Sequence, residues 1–419
     1  MTFKASRFPV CLSALWIMLA PAAGAFLPAA GKIPRVLNGI DVLREQNYAP
    51  LAGKRVGLIT NHTGLAVDGV STVDLLNKSG VCKLVALFSP EHGIRGTQDE
   101  NIGSTVDEAT GLPVYSLYGE TNRPPAAALK QIDVLIYDIQ DVGARFYTYS
   151  VTLAYCLEEA AKAKIPFLVL DRPNPIGGLA VEGPMLDADK TSFIGYMPLP
   201  VRHGMTMGEW ARYVNMERRI GADLHVVEMK GWQRNFFFYD TGQVWVNPSP
   251  NMRNLMEAIL YPGVCLLEAT NVSVGRGTDR PFEIIGAPWI EPLRLAAELE
   301  KSRPVGVRFL PLFFTPAAST NQGLKCGGVQ MVLTDPGKLN SVLVGLTLVS
   351  VLHRLYPGKF EVDRVIRLLG NAQALQMLKD GQAPAAVLQA GSAEVASFLT
   401  RRRKALIYRQ LPNPKGGKR

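Results

Sequence analysis

Four short apolar runs constrain this chain more than any other feature. They are Arg55 to Thr60 (RVGLIT), Leu84 to Phe88 (LVALF), Asp133 to Ile139 (DVLIYDI) and Pro166 to Leu170 (PFLVL). Runs of this length suit strands buried on both faces of a sheet. Between the first two, Ser71 is placed to cap a helix that Gly80 closes. Between the last two, Ser150 to Lys164 sets Leu153, Leu157 and Ala161 on one helical face. Strand, helix and strand in this order predict βαβ units and a mostly parallel sheet, an α/β fold.

Each run ends in a polar turn marked by Gly or Pro. The turns read NHTG, SPEHG, QDVGAR and DRPNPIGG. In a parallel sheet such turns gather at one edge, beyond the carboxyl ends of the strands, where ligands bind. The residues expected there are Asn61, His62, Glu91, His92, Arg95, Gln140, Asp141, Arg145, Asp171, Arg172 and Asn174, with Tyr147 just after the third turn. His203 in PVRHG is expected to face the same pocket. Asn251 belongs to a rigid, Pro- and Asn-rich turn beside Trp245. Polar residues converging in this way are the usual signature of a binding site.

Thr206 to Glu209 (TMGE) reads as a capping box, which gives Glu209 a structural role. Leu224 to Met229 reads as a fifth strand, and Val264 to Glu268 as another, followed by Arg276. Beyond Pro281 the texture changes. An amphipathic helix is expected over Glu291 to Ser302, a strand over Val329 to Leu333 and a final helical stretch over Ala385 to Arg401. Leu339 to Leu352 is strongly apolar but too short to span a bilayer, so it reads as a core helix. The expected organisation is an N-terminal α/β domain over 26–264, a smaller α+β domain over 265–411 and a basic tail over 412–419.

The first 25 residues read as an export signal. Lys4 and Arg7 precede an apolar centre from Val10 to Ala20, and Ala23-Gly24-Ala25 supplies the exit. The mature protein is therefore expected in the periplasm or outside the cell, with no stable membrane insertion. The formal net charge is +9, or about +7 once Lys4 and Arg7 are removed. A basic exported protein suits an anionic polymer such as cell wall, and nothing nominates a nucleic acid. Cys82, Cys156, Cys265 and Cys326 are scattered, which leaves one disulfide possible.

Several chemistries lack their motif. There is no G-x-x-x-x-G-K-[ST], no G-x-G-x-x-G after a strand, no H-E-x-x-H and no G-x-S-x-G. No cofactor or metal is expected. Carboxylate chemistry remains. Glycoside hydrolysis commonly needs one carboxylic acid to protonate the leaving oxygen and a second group to meet the oxocarbenium carbon. Glu91, beside Pro90 at the end of a buried strand, is the candidate acid, with His92 adjacent. Asp141, Asp171, Glu182 and Glu268 are candidates for the second group.

The motifs GLITNHTG, FSPEHGIRG, PVYSLYGE, DIQDVGARFYTY, DRPNPIGG, EGP, LPVRHGMTMGEWA, WVNPSPNMRN, YPGVCLLEATNVSVGRGT and RPFEIIGAPW span most of the mature chain. Together they resemble the NamZ-type exo-β-N-acetylmuramidases, bacterial glycosidases that are secreted or exported. The resemblance implies a Rossmann-like catalytic domain followed by an auxiliary domain. It implies release of terminal N-acetylmuramic acid from the non-reducing ends of peptidoglycan fragments. Glu91 corresponds to the family's proposed catalytic residue. Charge alone nominates Arg95, Arg145, Arg172 and Arg276 to hold the lactyl carboxylate, because Arg pairs with carboxylates bidentately. Two alternatives remain: a non-catalytic muropeptide-binding protein, and a carboxylate-dependent hydrolase of another amino sugar.

Overall fold

The computed structural model describes residues 36–94, 103–119 and 121–408. The expected export signal and the basic tail lie outside them. Helix α1 (Gly39–Glu45) begins where the Asp41 carboxylate accepts from the Asn38 N–H. Strand β1 (Arg55–Thr60) is exposed only at its first residue. Helix α2 (Thr72–Asn77) starts at Ser71, whose hydroxyl accepts from the Asp74 N–H at 3.0 Å. Then come β2 (Lys83–Ser89), β3 (Thr105–Val106), β4 (Pro113–Ser116), α3 (Ala126–Leu129), β5 (Val134–Asp138), α4 (Tyr149–Ala163) and β6 (Phe167–Leu170). Strands β7 (Glu182–Met185) and β8 (Pro200–Arg202) form an antiparallel pair, followed by α5 (Met207–Glu217) and β9 (Leu224–Val227).

The main sheet has seven strands in the order β3-β4-β2-β1-β5-β6-β9. Every pairing is parallel except that of the edge strand β3. From β1 the chain winds one way to β2 and β4, and the other way to β5, β6 and β9. The reversal falls between β1 and β5, and a crevice opens beyond the carboxyl ends of strands at such a point.

The remaining elements are α6 (Leu255–Val264), β10 (Ile284–Ala287), α7 (Pro292–Glu300), β11 (Val307–Phe314), β12 (Cys326–Leu333), α8 (Ser341–Leu355), α9 (Ile366–Leu369), α10 (Ala372–Lys379), α11 (Pro384–Ala390) and α12 (Ser392–Arg402). Strands β10, β12 and β11 make a second, antiparallel sheet. One apolar core runs through both halves: Leu135, Tyr137 and Val169 of the main sheet share it with Leu260, Leu266, Val329 and Leu346. A separate cluster, including Ile40, Leu58, Leu76 and Ile136, packs α1 and α2 on the other side.

Two expected elements are corrected. Val264 to Glu268 is not a strand; it is the end of α6 and one 3-10 turn. A short apolar run buried all round reads equally well as either element. Ala385 to Arg401 is not one helix, because Gly391 separates α11 from α12. Among the described residues no helix is long and apolar enough to cross a membrane. Cys82, Cys156, Cys265 and Cys326 are free thiols.

Candidate active site

Strand β2 delivers Glu91. The strand stops at Ser89, and Pro90 has no N–H to continue the ladder. His92 and Gly93 then take left-handed backbone, φ 71° and 73°, which turns the chain sharply. Glu91 is half-buried and its Oε2 accepts from the Thr148 hydroxyl at 2.6 Å. Thr148 stands at the N-cap of α4, yet its side chain makes no bond to its own helix. The hydroxyl is committed to Glu91 instead.

Glu91, His92, Tyr147, Thr148 and Tyr149 form one wall of a cavity of about 420 Å³. They leave the sheet after β2 and β5, on either side of β1. Asn251, Tyr261, Cys265, Glu268, Arg276 and Phe282 form the other wall. The aromatic rings interlock edge to face: Tyr147 with Tyr149 at 4.9 Å, Tyr147 with Tyr261 at 5.9 Å, and Tyr261 with Phe282 at 4.8 Å. Burial pushes the Tyr147 and Tyr261 phenols well above their ordinary range, so both remain protonated. Arg276 donates from Nε to Glu268 Oε1, and its guanidinium lies 5.5 Å from the centroid of Phe282. The Cys265 thiol donates to Glu268 Oε2 at 3.1 Å.

Comparison with known proteins fits this arrangement. Family models described as exo-beta-N-acetylmuramidase NamZ match the chain twice, the N-terminal model over residues 56–256 and the C-terminal model over 259–408. The peptidoglycan beta-N-acetylmuramidase NamZ of Bacillus subtilis is 45% identical over 382 residues, 90% of this chain and 92% of that protein. The chain belongs to the NamZ family. Two crystal structures of DUF1343 family proteins from Bacteroides fragilis are also similar to this NamZ-family fold. One has a TM-score of 0.79 at 36% identity and the other 0.73 at 31%. Each comparison covers 90% of this chain and 99% of the other.

Of the residues expected from the sequence, this family member brings Glu91, His92, Tyr147, Asn251, Glu268 and Arg276 to the cavity. Arg95 lies outside the described residues. Asn61 and His62 sit one layer behind. Asn61 donates to the Tyr149 hydroxyl at 3.1 Å, and that hydroxyl donates to the Pro248 carbonyl at 2.6 Å. His62 donates from Nε2 to the Asn247 carbonyl at 2.6 Å, and burial lowers its pKa. Asp141 is buried outside the cavity. Its Oδ1 accepts from the Gly143 N–H at 2.7 Å, while Oδ2 has no partner among the described residues. Burial pushes this carboxyl up to about 7.

The other expected residues lie away from this cavity, with polar atoms used inside the fold. Arg145 is buried and donates to the carbonyls of Pro184, Leu199, Leu368 and Leu369. Arg172 grips Asp138 with Nε and Nη2, at 2.5 and 3.0 Å. Gln140 donates to the carbonyls of Asp141 and Pro173, and with Arg172 it lines a separate cavity of about 220 Å³. Asp171 accepts from Thr206, Gly208 and Tyr408. Asn174 donates to the Met205 carbonyl at 2.9 Å. His203 accepts at Nδ1 from the Met205 N–H, stacks on Trp210, and is pushed down to about 3 by burial. Glu182 pairs with Arg202 at 2.6 Å. Glu209 does close the capping box, and it also pairs with Arg234.

Sequence reasoning missed Thr148, Tyr149, Tyr261, Cys265 and Phe282. Thr148 and Tyr149 had a signal, since they follow Tyr147 directly at the head of a predicted helix. Among the described residues no group of three or more His, Cys, Asp or Glu could hold a metal ion.

Proposed function

We propose that this chain is an exo-acting glycoside hydrolase. It releases terminal β-linked N-acetylmuramic acid from the non-reducing ends of peptidoglycan fragments, with Glu91 as general acid. Family membership and the name of the Bacillus subtilis relative support the activity. The observation that carries the assignment of Glu91 is its place in the cavity wall, oriented by Thr148. A cavity of about 420 Å³ suits one terminal sugar better than a continuous glycan strand.

The Thr148 hydroxyl donates to Oε2, so the acid proton belongs on Oε1. Glu91 gives that proton to the glycosidic oxygen as the bond to the anomeric carbon breaks. The leaving sugar departs as an alcohol. Water then supplies the hydroxyl of the new anomeric centre and the proton that restores the acid. The N-terminal segment, read as an export signal, sends the enzyme to the compartment that holds this substrate.

The test is a chromogenic β-N-acetylmuramide together with a disaccharide bearing terminal N-acetylmuramic acid. The wild type is expected to release the free sugar from both. Glu91→Gln is expected to lose turnover by about 10²–10⁴-fold while remaining folded. Near wild-type turnover in a folded Glu91→Gln removes Glu91 from the mechanism. Saturable binding without sugar release by the wild type identifies a wall-binding protein instead.

A further inference from the structure

We propose that Arg276 reads the 3-O-lactyl carboxylate, the group that separates N-acetylmuramic acid from N-acetylglucosamine, and that Glu268 is the residue that positions it. This rests on the function proposed above and names the element that selects the substrate. Charge nominates four arginines, of which Arg95 lies outside the described residues. The structure removes Arg145 and Arg172, whose guanidiniums are engaged in the interior. Arg276 stands in the wall of the same cavity as Glu91.

Its geometry suits a carboxylate reader. The Nε bond to Glu268 and the packing on Phe282 hold the guanidinium in one place. A guanidinium presents its N–H donors in a planar fork that matches the two oxygens of a carboxylate. An anion meeting a preorganised fork loses little entropy on binding.

Glu268 takes a different role from the one its sequence position suggested. One carboxylate oxygen accepts from Arg276 and the other from Cys265. Burial holds the Cys265 thiol well above its ordinary range, so it stays a donor. A carboxylate occupied at both oxygens is poorly placed to attack an anomeric carbon or to activate water. Glu268 therefore serves as a clamp for Arg276. The two halves of the chain divide the work: the turn after β2 supplies the acid, and the segment after α6 supplies the specificity.

The test compares two substrates, a chromogenic β-N-acetylmuramide and the same glycoside with its lactyl carboxylate converted to the primary amide. The wild type is expected to favour the acid in kcat/KM by about 10²-fold. Arg276→Ala is expected to bring that ratio close to one by lowering kcat/KM for the acid. A thermal unfolding transition close to that of the wild type shows that the variant is folded. Arg276→Gln, which keeps more of the packing on Phe282, is the second variant if Arg276→Ala does not fold. Glu268→Gln is expected to weaken the acid substrate alone, by about tenfold. Three results overturn the proposal: a wild type indifferent to the carboxylate, an Arg276 variant that keeps the acid preference, and a Glu268→Gln loss that is equal on both substrates. A wild type that cleaves neither substrate is the separate failure of the proposed function.

Discussion

Thr148 Oγ1 lies 2.6 Å from Glu91 Oε2, although the two residues leave the sheet from different strands. Glu91 follows β2 and Thr148 follows β5, with β1 between them. The bond crosses the point where the winding of the sheet reverses. It joins the first turn of α4 to the turn that carries the proposed acid. A hydroxyl that could have capped its own helix fixes a carboxylate 57 residues away.

Thr148→Val keeps the shape of the side chain and removes the donor. Glu91 is then free to turn away from the cavity. We expect kcat on a β-N-acetylmuramide to fall by about 10–100-fold, with KM little changed. Thr148→Ser restores the donor and is expected to recover most of the rate. Equal kcat for wild type and Thr148→Val shows that the bond does not position Glu91.

Strands β1, β2, β5 and β6 were legible because each is an apolar run closed by a turn signal, whereas the two-residue edge strand β3 lies in a polar stretch that reads as loop. The edge of the sheet on which the turns gather followed from the same pattern. What the turns do with their side chains did not. Arg145 and Arg172 carry the residue type that binds carboxylates, but one ties down four carbonyls and the other pairs with Asp138. A turn has no fixed alternation, so which residue faces inward depends on distant partners such as Leu368. Tyr261, Cys265 and Phe282 of the second wall were hidden for a related reason. Val264 to Glu268 has the apolar content of a strand, and only its packing inside α6 and the following turn makes it helical.

Arg145 gives a prediction opposite to its sequence reading. It ties the loop after β5 to β7, to the start of β8 and to α9. Arg145→Met removes this donor from all four buried carbonyls, of which Leu199 still accepts from the Leu186 N–H. We expect a loss of about 3 kcal/mol or more in denaturant unfolding. Arg145→Lys is also expected to destabilise, since one ammonium cannot span all four acceptors. Below the unfolding transition, both variants are expected to keep KM for the muramide. A raised KM with unchanged stability returns Arg145 to the substrate.

Asp141 predicts a pH dependence. Its carboxyl is raised in the folded chain to about 7 from an ordinary value of 3.8, because burial penalises the charge. Between these values the folded state holds a proton that the unfolded state has released. Its contribution is therefore fully present below the unfolded value and lost as pH rises through the folded one. Asp141→Asn cannot titrate and keeps the oxygen that accepts from Gly143. Its stability relative to wild type is expected to increase from pH 4 to pH 7 and then level off, at a total on the order of 4 kcal/mol. Parallel stability curves for the two proteins across that range contradict the assignment.

The crossing of α6 and α8 carries the last prediction. Gly263 and Gly345 meet backbone to backbone; a Cβ on Gly345 would stand 2.6 Å from Gly263 Cα, and one on Gly263 would strike the Ser341 carbonyl. Alanine favours an isolated helix over glycine by about 1 kcal/mol. Here the contact decides the sign, since backbone has no rotamer to move aside. Gly345→Ala is expected to lose about 1–3 kcal/mol of stability, as overpacked sites do. The displacement acts on α6, whose next turn carries Cys265 and Glu268. We therefore expect the preference for the lactyl acid over its amide to shrink in Gly345→Ala while amide turnover continues. Thermal unfolding and the two-substrate assay read the two effects separately. A stabilised Gly345→Ala with an intact acid preference means that α6 and α8 do not hold the specificity wall in place.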